Sequence, residues 1–505
     1  MTIEAHSDCG RRAATARGAA GNSRSSGISG DSGVSGDSGN AAAATDGEVS
    51  GIGGSSSAAG NSGVLLAAVA LAQLLIGLDY NIVFVALPDM TGVGLDGGNR
   101  QWVVSGYALA FGGFLLLSGR LADQWGRRRM FLTGLALFAA GSAIGGLANG
   151  SAMLIAGRVV QGLGGAALAP ATLAILTVGF PQGAARNRAL GIWGMTGSAG
   201  MVLGSVLGGL LTQWWGWRAV FFVNLPLVAM VVLLGLRGIR RDTGAQRRAG
   251  VDLPGAVLST GAALALVLGG TLAGGEGSAP AAAGMLMLAV LLGAAFLVVE
   301  RRSAHPLVPL SRFRNTYLSV GVGSTLLFMA GFGAVAYFLT DYFQRVRELS
   351  PVVTGLAFVV PCVAVLIGTN LSGRLIARYG LRATLVAGNL VGALGMLALA
   401  LVVTTDAPWL LVLPVTAVFS LGQGVVFTAM FATATTDTTD AEQGVASGIA
   451  TTGQQFGAAL GLALLVWLAT GAALPLRPAA LAITVLILLG AVLALALPPR
   501  RAGGQ

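Results

Sequence analysis

Long apolar stretches recur along the chain from Val64 onward and alternate with short polar segments. Each stretch holds about 20 residues, the length that an α-helix needs to cross the roughly 30 Å hydrocarbon core of a bilayer. The pattern predicts an all-α integral membrane protein with fourteen transmembrane helices. We place these at residues 64–87, 102–118, 130–149, 152–176, 189–212, 219–236, 253–271, 281–299, 316–340, 352–372, 383–403, 408–431, 445–469 and 478–497.

The first 63 residues lack this pattern and are rich in Gly, Ser, Ala and Asp. Such a segment buries too little apolar surface to offset its ordering entropy, so we expect a disordered tail over 1–63. A second short tail is expected over 499–505. The long polar stretch ahead of the first apolar run is unlike a signal peptide.

The placement of arginines predicts the orientation of these helices. If the N-terminus lies inside, most loop and tail arginines are also inside, and the outside loops hold only Arg100, Arg218, Arg345, Arg347 and Arg477. We therefore expect a multi-pass protein of the cytoplasmic membrane with both termini in the cytoplasm.

The amino-acid composition excludes several classes of function. Charged residues make up 10% of the 505 residues, and all 30 basic residues are arginine. Without lysine the chain has neither a P-loop lysine nor a Schiff-base lysine. The two cysteines and two histidines suggest neither a disulfide framework nor a metal site. We expect a protein that is not an enzyme, needs no cofactor and binds no nucleic acid, with its net charge of +10 carried by the inside loops.

Two internal repeats indicate a duplicated architecture. GRLADQWGRR at 119–128 resembles GRLIARYGLR at 373–382, and Gly200, Gly204 and Gly208 recur as Gly453, Gly457 and Gly461. Parallel repeats of this kind are typical of transporters. We expect a six-helix N-terminal half at 64–237, two inserted helices at 238–315 and a six-helix C-terminal half at 316–498.

Asp79 is an acid deep within the first apolar span, and Arg158 is a cation at a similar depth in the fourth. Ionisable residues inside a membrane are costly and usually functional. We expect the two side chains to approach each other, with Asp79 loading and releasing protons and Arg158 tuning it. The alternative is a fixed ion pair that only tethers two helices.

Two further segments are candidates for conformational roles. The segment GRLADQWGRRR at 119–129 could form a gate latch in which Asp123 pairs with Arg127 or Arg128, or it could be a simple basic loop. The glycines at 200, 204 and 208 lie on one helix face and allow close helix packing, with or without gating.

Polar residues within the apolar spans are candidates for a substrate cavity, although such residues also commonly bond neighbouring helices. The candidates are Gln73, Asn81, Tyr107, Gln161, Gln423 and Gln454.

Five segments resemble motifs of the major facilitator superfamily, in particular its fourteen-helix drug:proton antiporter branch of the actinobacterial antibiotic-resistance type. They are LDYNIVFVALP (78–88), GRLADQWGRRR (119–129), RVVQGLGGA (158–166), GSAGMVLGSVLGG (197–209) and WRAVFFVNLP (217–226). The resemblance implies a proton-coupling role for Arg158, gating roles for Gly119, Asp123, Gly126, Arg127 and Arg128, and an antiporter motif that includes Gly200, Gly204, Gly208 and Gly209.

Two positions depart from the family pattern. Ser205 stands where the antiporter motif has proline, which predicts a less kinked helix. Ala377 replaces the acid in the second copy of the gating segment, so we expect only the first copy to form a latch.

We therefore expect proton-coupled efflux of small amphipathic drugs or antibiotics by alternating access, with protons as the coupling ion and a single chain as the working unit. The alternative is a proton-coupled or facilitative transporter of a nutrient or a secreted metabolite. The sequence names no particular substrate.

Overall fold

The computed structural model describes residues 53–90, 92–95, 100–180, 184–240, 252–273, 279–303, 306, 310–404, 408–437 and 440–499. Within these ranges the regular structure is helical throughout, and the described residues from Gly54 onward form one compact unit. The α-helices are α1 Gly53–Ala86, α2 Trp102–Trp125, α3 Arg127–Gly146, α4 Ser151–Gly179, α5 Ala184–Trp215, α6 Ala219–Phe222, α7 Asn224–Gly238, α8 Leu253–Ala273, α9 Ala279–Arg302, α10 Thr316–Asp341, α11 Pro351–Ala357, α12 Val359–Val402, α13 Val412–Ala434, α14 Asp440–Ala469 and α15 Leu476–Ala494.

Eleven stretches of the described chain are long and apolar enough to cross a membrane. The protein is therefore a multi-pass membrane protein. One of these stretches, Pro351–Val402, contains α11 and α12, and α12 itself consists of two helical segments that meet at Gly380. Two shorter apolar helical stretches, Trp102–Leu115 and Leu253–Gly269, lie in α2 and α8.

Several helices extend beyond their predicted bounds. Helix α1 begins at Gly53, so the part of the predicted disordered tail at 53–63 is helical; residues 1–52 lie outside the described part. Helix α2 continues to Trp125 and α3 begins at Arg127, so most of the segment 119–129 is helix and not loop. Charged residues at a helix end resemble a loop in sequence, and this misplaced the boundary.

A single glycine makes the turn in each copy of the repeated segment. Gly126 has φ 103° and Gly380 has φ 83°, a left-handed backbone that glycine adopts without the steric penalty of a Cβ atom. The two glycines occupy equivalent positions in the repeat.

The internal repeat of the sequence is also present in the packing of neighbouring helices. Gly134 and Gly141 of α3 lie against the backbone of α4, and Gly388 and Gly395 of α12 lie against α13. These pairs share the same spacing in sequence, so the same close helix contact is built twice.

The N-terminal half is α1–α7, the inserted pair is α8 and α9, and the C-terminal half is α10–α15. The distal end contains residues 87–90, 147–150, 342–350 and 403–404, and the tail end contains Gly126, Gly380 and residues 238–240 and 495–499. Helices α8 and α9 pack on each other, and α8 also contacts α2 and α14.

The two halves share a hydrophobic core at the distal end. It contains Phe84 and Leu87 of the N-terminal half together with Phe338, Phe343 and Phe358 of the C-terminal half, all buried. This end of the bundle is therefore closed.

Candidate functional site

Asp79 and Arg158 form a buried ion pair between α1 and α4. The Nη1 atom of Arg158 lies 2.6 Å from Oδ2 of Asp79, and the side chains are 2% and 0% exposed. The expected approach of the two side chains is thus present in the structure. Because bulk solvent does not screen the pair, a change of charge on either partner would leave an uncompensated buried charge, which is strongly unfavourable.

Two amides complete the hydrogen bonding of the carboxylate. Gln161 Nε2 and Asn224 Nδ2 each donate to Asp79 Oδ1, both at 3.1 Å. With Arg158 on the other oxygen, three donors converge on the carboxylate. An ionised carboxylate only accepts hydrogen bonds, so this arrangement matches the charged form of Asp79.

The guanidinium group of Arg158 is held by α2 and α4 as well as by Asp79. Its Nε donates to the carbonyl oxygen of Val103 at 2.9 Å, and its Nη1 also donates to Gln161 Oε1 at 2.8 Å. The ring of Tyr107 lies 4.4 Å from Cζ, within range of a cation–π interaction. Arg158 therefore keeps several partners if its contact with Asp79 breaks.

Gln161 links this cluster to α3, since its Nε2 also donates to Ser142 Oγ at 2.7 Å. The cluster thus joins five membrane helices, α1 to α4 and α7, with α7 contributing Asn224. We call Asp79, Arg158, Gln161, Asn224, Ser142 and Tyr107 the buried charge network. Neutralising Asp79 by protonation would remove the charge that its three donors face and would favour rearrangement of the network.

The glycines of α5 pack directly against α1 on either side of Asp79. A Cβ atom at Gly200, Gly204 or Gly208 would meet the carbonyl oxygen of Leu74, Leu78 or Ile82, respectively. Small residues at this spacing let two backbones touch. Movement of α5 along or away from α1 therefore acts directly on the turn that carries Asp79.

Ser205 uses its hydroxyl in the same helix contact. Asn81 Nδ2 donates to Ser205 Oγ at 3.2 Å and to the carbonyl oxygen of Met201 at 3.0 Å, and it lies 3.8 Å from the sulfur of Cys362. The hydroxyl of Ser205 also donates to Met201 O at 3.1 Å. The position where the family motif has proline is thus a polar bridge between α1 and α5.

Only part of the predicted gate latch lies in the described structure. Arg128 Nη2 donates to the carbonyl oxygen of Leu236, at 3.0 Å, near the end of α7. Gly119 faces Pro170 without crowding, and Gly126 makes the turn described above. The side chain of Asp123 lies outside the described part, so its pairing with Arg127 or Arg128 stays a prediction.

The predicted cavity residues do not share one surface. Tyr107 and Gln161 belong to the buried charge network, and Asn81 bridges α1 and α5. Gln423 is buried against Gly392 of α12. Gln73 is half-buried beside Gly197, and Gln454 is half-buried on α14. A cavity role for this set as a whole stays a prediction.

The described hydrogen bonds between the two halves lie near the middle of the bundle or towards its distal end. Gln344 Nε2 donates to the carbonyl oxygen of Val85 at 2.9 Å. A Cβ atom at Gly355 of α11 would meet the carbonyl oxygen of Ser205, and one at Gly209 would meet that of Pro351. Helix α5 therefore lies between α1 and α11 and contacts both.

Sequence reasoning missed Ser142 and Asn224. Asn224 stood within a quoted motif and is a polar residue in an apolar span, so a signal existed. Ser142 carried none, because serine is common in such helices. Asp252 and Glu300 were also missed; both are buried at the tail end of the inserted pair, where their carboxylates approach Gly255.

Comparisons with known proteins agree with this architecture. The family model of the Major Facilitator Superfamily matches residues 69–252, 253–462 and 322–504. A puromycin resistance protein of Streptomyces alboniger is 38% identical over 417 residues, covering 81% of this chain and 82% of the relative. A cephamycin export protein of Amycolatopsis lactamdurans is 38% identical over 422 residues, covering 81% and 85%.

Among solved structures, a D-xylose–proton symporter superposes with a TM-score of 0.64 at 14% identity, covering 88% of this chain and 99% of that chain. This likeness concerns the fold alone. Internal repeats of membrane helices are typical of solute transporters, and the glycine contact of α3 with α4 that recurs between α12 and α13 is a repeat of this kind. The chain belongs to the major facilitator superfamily, and the proteins of this family are transporters and not enzymes.

Proposed function

We propose that this transporter exports small amphipathic drugs or antibiotics across the cytoplasmic membrane in exchange for protons. The relatives named for resistance or export support the direction and the substrate class: they act on puromycin, lincomycin and cephamycin by name and are 36–38% identical. The arginine pattern supports cytoplasmic termini. One chain supplies both halves, so the working unit is a monomer in the bilayer.

The full fold has fourteen transmembrane helices in this proposal. Eleven stretches qualify by length and composition, one of them contains two helical segments that meet at Gly380, and two shorter apolar stretches complete the set. The distal end then faces outside and the tail end faces the cytoplasm. The closed distal core corresponds to an inward-facing state.

The observation that carries the proposal is the burial of Asp79 beneath the closed distal core. Asp79 lies seven residues before the end of α1 at Ala86, roughly 10 Å below that end at 1.5 Å per residue. When the distal end opens, outside protons reach the carboxylate and neutralise it. Arg158 then relies on Val103, Gln161 and Tyr107. Reclosure and release of the proton to the cytoplasm restore the ion pair.

Helix α5 connects the protonation of Asp79 to the closure of the distal end. Its glycines contact the α1 backbone around Asp79, and Ser205 and Gly209 contact α11 of the opposite half. Rearrangement of the ion pair therefore shifts a helix that also forms the distal closure. The membrane potential favours inward proton movement by roughly 2.3 kcal/mol per charge per 100 mV, which supplies free energy for export.

The test is drug accumulation in inside-out vesicles with an imposed pH gradient. We expect Asp79→Asn to reduce gradient-driven accumulation to background while the purified protein stays folded. Asp89→Asn is the matched control, since Asp89 follows the same helix and is exposed; it should accumulate drug like the parent protein.

A charge-swap variant distinguishes a role of the ion pair in proton coupling from a purely structural role in holding two helices together. If the ion pair only tethers helices, the double variant Asp79→Arg with Arg158→Asp should restore both stability and transport. Under the proposal it restores stability without gradient-driven transport, because the acid is moved to another helix. Full accumulation by Asp79→Asn, or accumulation that ignores the gradient, would refute proton coupling.

A further inference from the structure

A cavity of about 760 Å³ lies at the tail end of the C-terminal half. It opens between the start of α10, the turn at Gly380 and the residues that follow α15. Its wall is mainly aliphatic and includes Ile376, Leu381 and Val386. The volume lies in the range of about 300–1,000 Å³ that is usual for small-molecule sites.

Arg382 provides the charge in the wall of this cavity. Its Nη1 donates to the carbonyl oxygen of Leu497 at 3.3 Å, which holds the half-buried guanidinium group in place. A guanidinium group has five N–H donors, and this bond uses one of them. Tyr317 adds a phenol to the same wall.

The stretches of sequence that line the cavity carry basic residues and no acidic ones. The stretches of sequence that contribute its lining, 301–340, 349–405 and 443–505, contain no Asp or Glu. They place Arg312, Arg314, Arg374 and Arg378 near the same end of the C-terminal half. These stretches therefore supply no acidic side chain to neutralise Arg382. The acids at the same end of the C-terminal half, Asp437, Asp440 and Glu442, stand near the start of α14, which contributes no residue to the cavity lining.

The two copies of the repeated segment differ at the position that accounts for this imbalance. In the first copy of the repeated segment the corresponding position is Asp123, whereas in the second it is Ala377, which is exposed and lines the cavity. The first copy therefore has an acid among its arginines, and the second has arginines alone.

The cavity also lies where a membrane places its headgroups, at the ends of transmembrane helices. Tyr379 is half exposed there, with Arg378 5.2 Å from its ring centre. Tyrosine is enriched at membrane interfaces, and basic pockets between helices bind anionic lipid headgroups. An aliphatic wall beneath a basic rim fits a molecule with an anionic head and an apolar chain.

We propose that this cavity binds an anionic phospholipid from the adjacent leaflet, with its phosphate at Arg382 and an acyl chain along the aliphatic wall. The inference does not depend on the direction of transport or on proton coupling. It requires only the membrane setting and the geometry of the C-terminal half.

The test uses the full-length protein purified into phosphatidylcholine nanodiscs and titrated with phosphatidylglycerol. Native mass spectrometry measures the lipid retained, and thermal unfolding measures its effect on stability. Three variants perturb the site: Arg382→Gln removes the charge, Ala377→Asp restores the acid, and Ala383→Trp fills the cavity from an exposed position. Arg477→Gln is the control, since Arg477 is an exposed arginine at the opposite end of α15.

We expect the parent protein and Arg477→Gln to retain phosphatidylglycerol in preference to phosphatidylcholine. Loss of one arginine near a membrane surface should weaken retention about fivefold, equivalent to about 1 kcal/mol, and Ala377→Asp should act in the same direction. Ala383→Trp should reduce retention of the anionic lipid without changing any charge.

Three results would overturn the proposal. The first is equal retention of the two lipids by the parent protein. The second is an effect of Arg477→Gln as large as that of Arg382→Gln. The third is displacement of the bound lipid by inorganic phosphate alone, which would assign the site to a free anion. Because Ala377→Asp and Ala383→Trp alter exposed positions, the test survives any misfolding of Arg382→Gln.

Discussion

The close contact between α1 and α5 predicts that a larger residue at Gly204 disrupts the packing of the two helices. A Cβ atom there would clash with the carbonyl oxygen of Leu78 and would lie 3.1 Å from both the carbonyl carbon and Cα of Leu78. All three atoms belong to the backbone, so no side chain can rotate away. The change Gly204→Ala therefore forces the two helices apart, next to the residue that carries the proposed proton site.

The change in stability that we expect for Gly204→Ala follows from two opposing effects. Overpacking a well-packed contact destabilises by about 1–3 kcal/mol. Replacing glycine by alanine inside a helix stabilises by about 1 kcal/mol. The net destabilisation should be up to about 2 kcal/mol.

The matched control is Gly194→Ala on the same helix. A Cβ atom at Gly194 meets nothing within 4 Å, so this variant receives the helix-propensity gain without the clash. The two variants should differ by about 1–3 kcal/mol, the clash term alone. Thermal unfolding in detergent measures this difference, and drug accumulation in vesicles measures function.

Gly204→Ala should lower drug accumulation more strongly than it lowers stability. Separation of α1 from α5 displaces the turn of Asp79 relative to Arg158, whose closest atoms are 2.6 Å apart. We expect Gly204→Ala to lose most gradient-driven accumulation and Gly194→Ala to keep it. If the two variants unfold at the same temperature and transport equally, the close backbone contact is not part of the working protein.

Two further changes test the buried charge network and the turn. Asn224→Leu removes one of the two donors to Asp79 Oδ1 and should destabilise by about 1.5–3 kcal/mol, whereas Asn370→Leu, at an exposed amide bonded within its own helix, should stay within about 0.5 kcal/mol in the same thermal assay. Gly126→Ala places a side chain at φ 103° and should destabilise by about 1–3 kcal/mol, while Gly373→Ala, at an exposed helical position where a Cβ atom meets nothing within 4 Å, should not lower the unfolding temperature. Equal unfolding temperatures within either pair would contradict the corresponding reasoning.

The features that could be predicted from sequence are those with a local signal. An apolar stretch of the right length marks a membrane helix whatever surrounds it. Asp79 and Arg158 stand out because charge is rare in such helices. The glycines of α5 stand out through their spacing, and their close contact with α1 is present in the structure.

The features that could not be predicted depend on packing between distant segments. Gln161 looked like a cavity residue, because its bonds to Asp79 and Ser142 arise only when α1, α3 and α4 meet. Asn224 reaches Asp79 from α7, 145 positions away in sequence. The end of α2 was misplaced because arginines within a helix and arginines in a loop have the same local pattern.

The two halves share their packing but differ in their charges, and this difference indicates how the work is divided. The close glycine contact of α3 with α4 recurs between α12 and α13. In the N-terminal half that contact positions Gln161 and Arg158 around Asp79. In the C-terminal half, residues 383–405 and 407–436 contain no charged residue at all, and Gln423 occupies the interior instead. Since duplication begins with two similar halves, the present asymmetry places the proposed proton chemistry in the N-terminal half. The corresponding interior of α12 and α13 in the C-terminal half carries no charge.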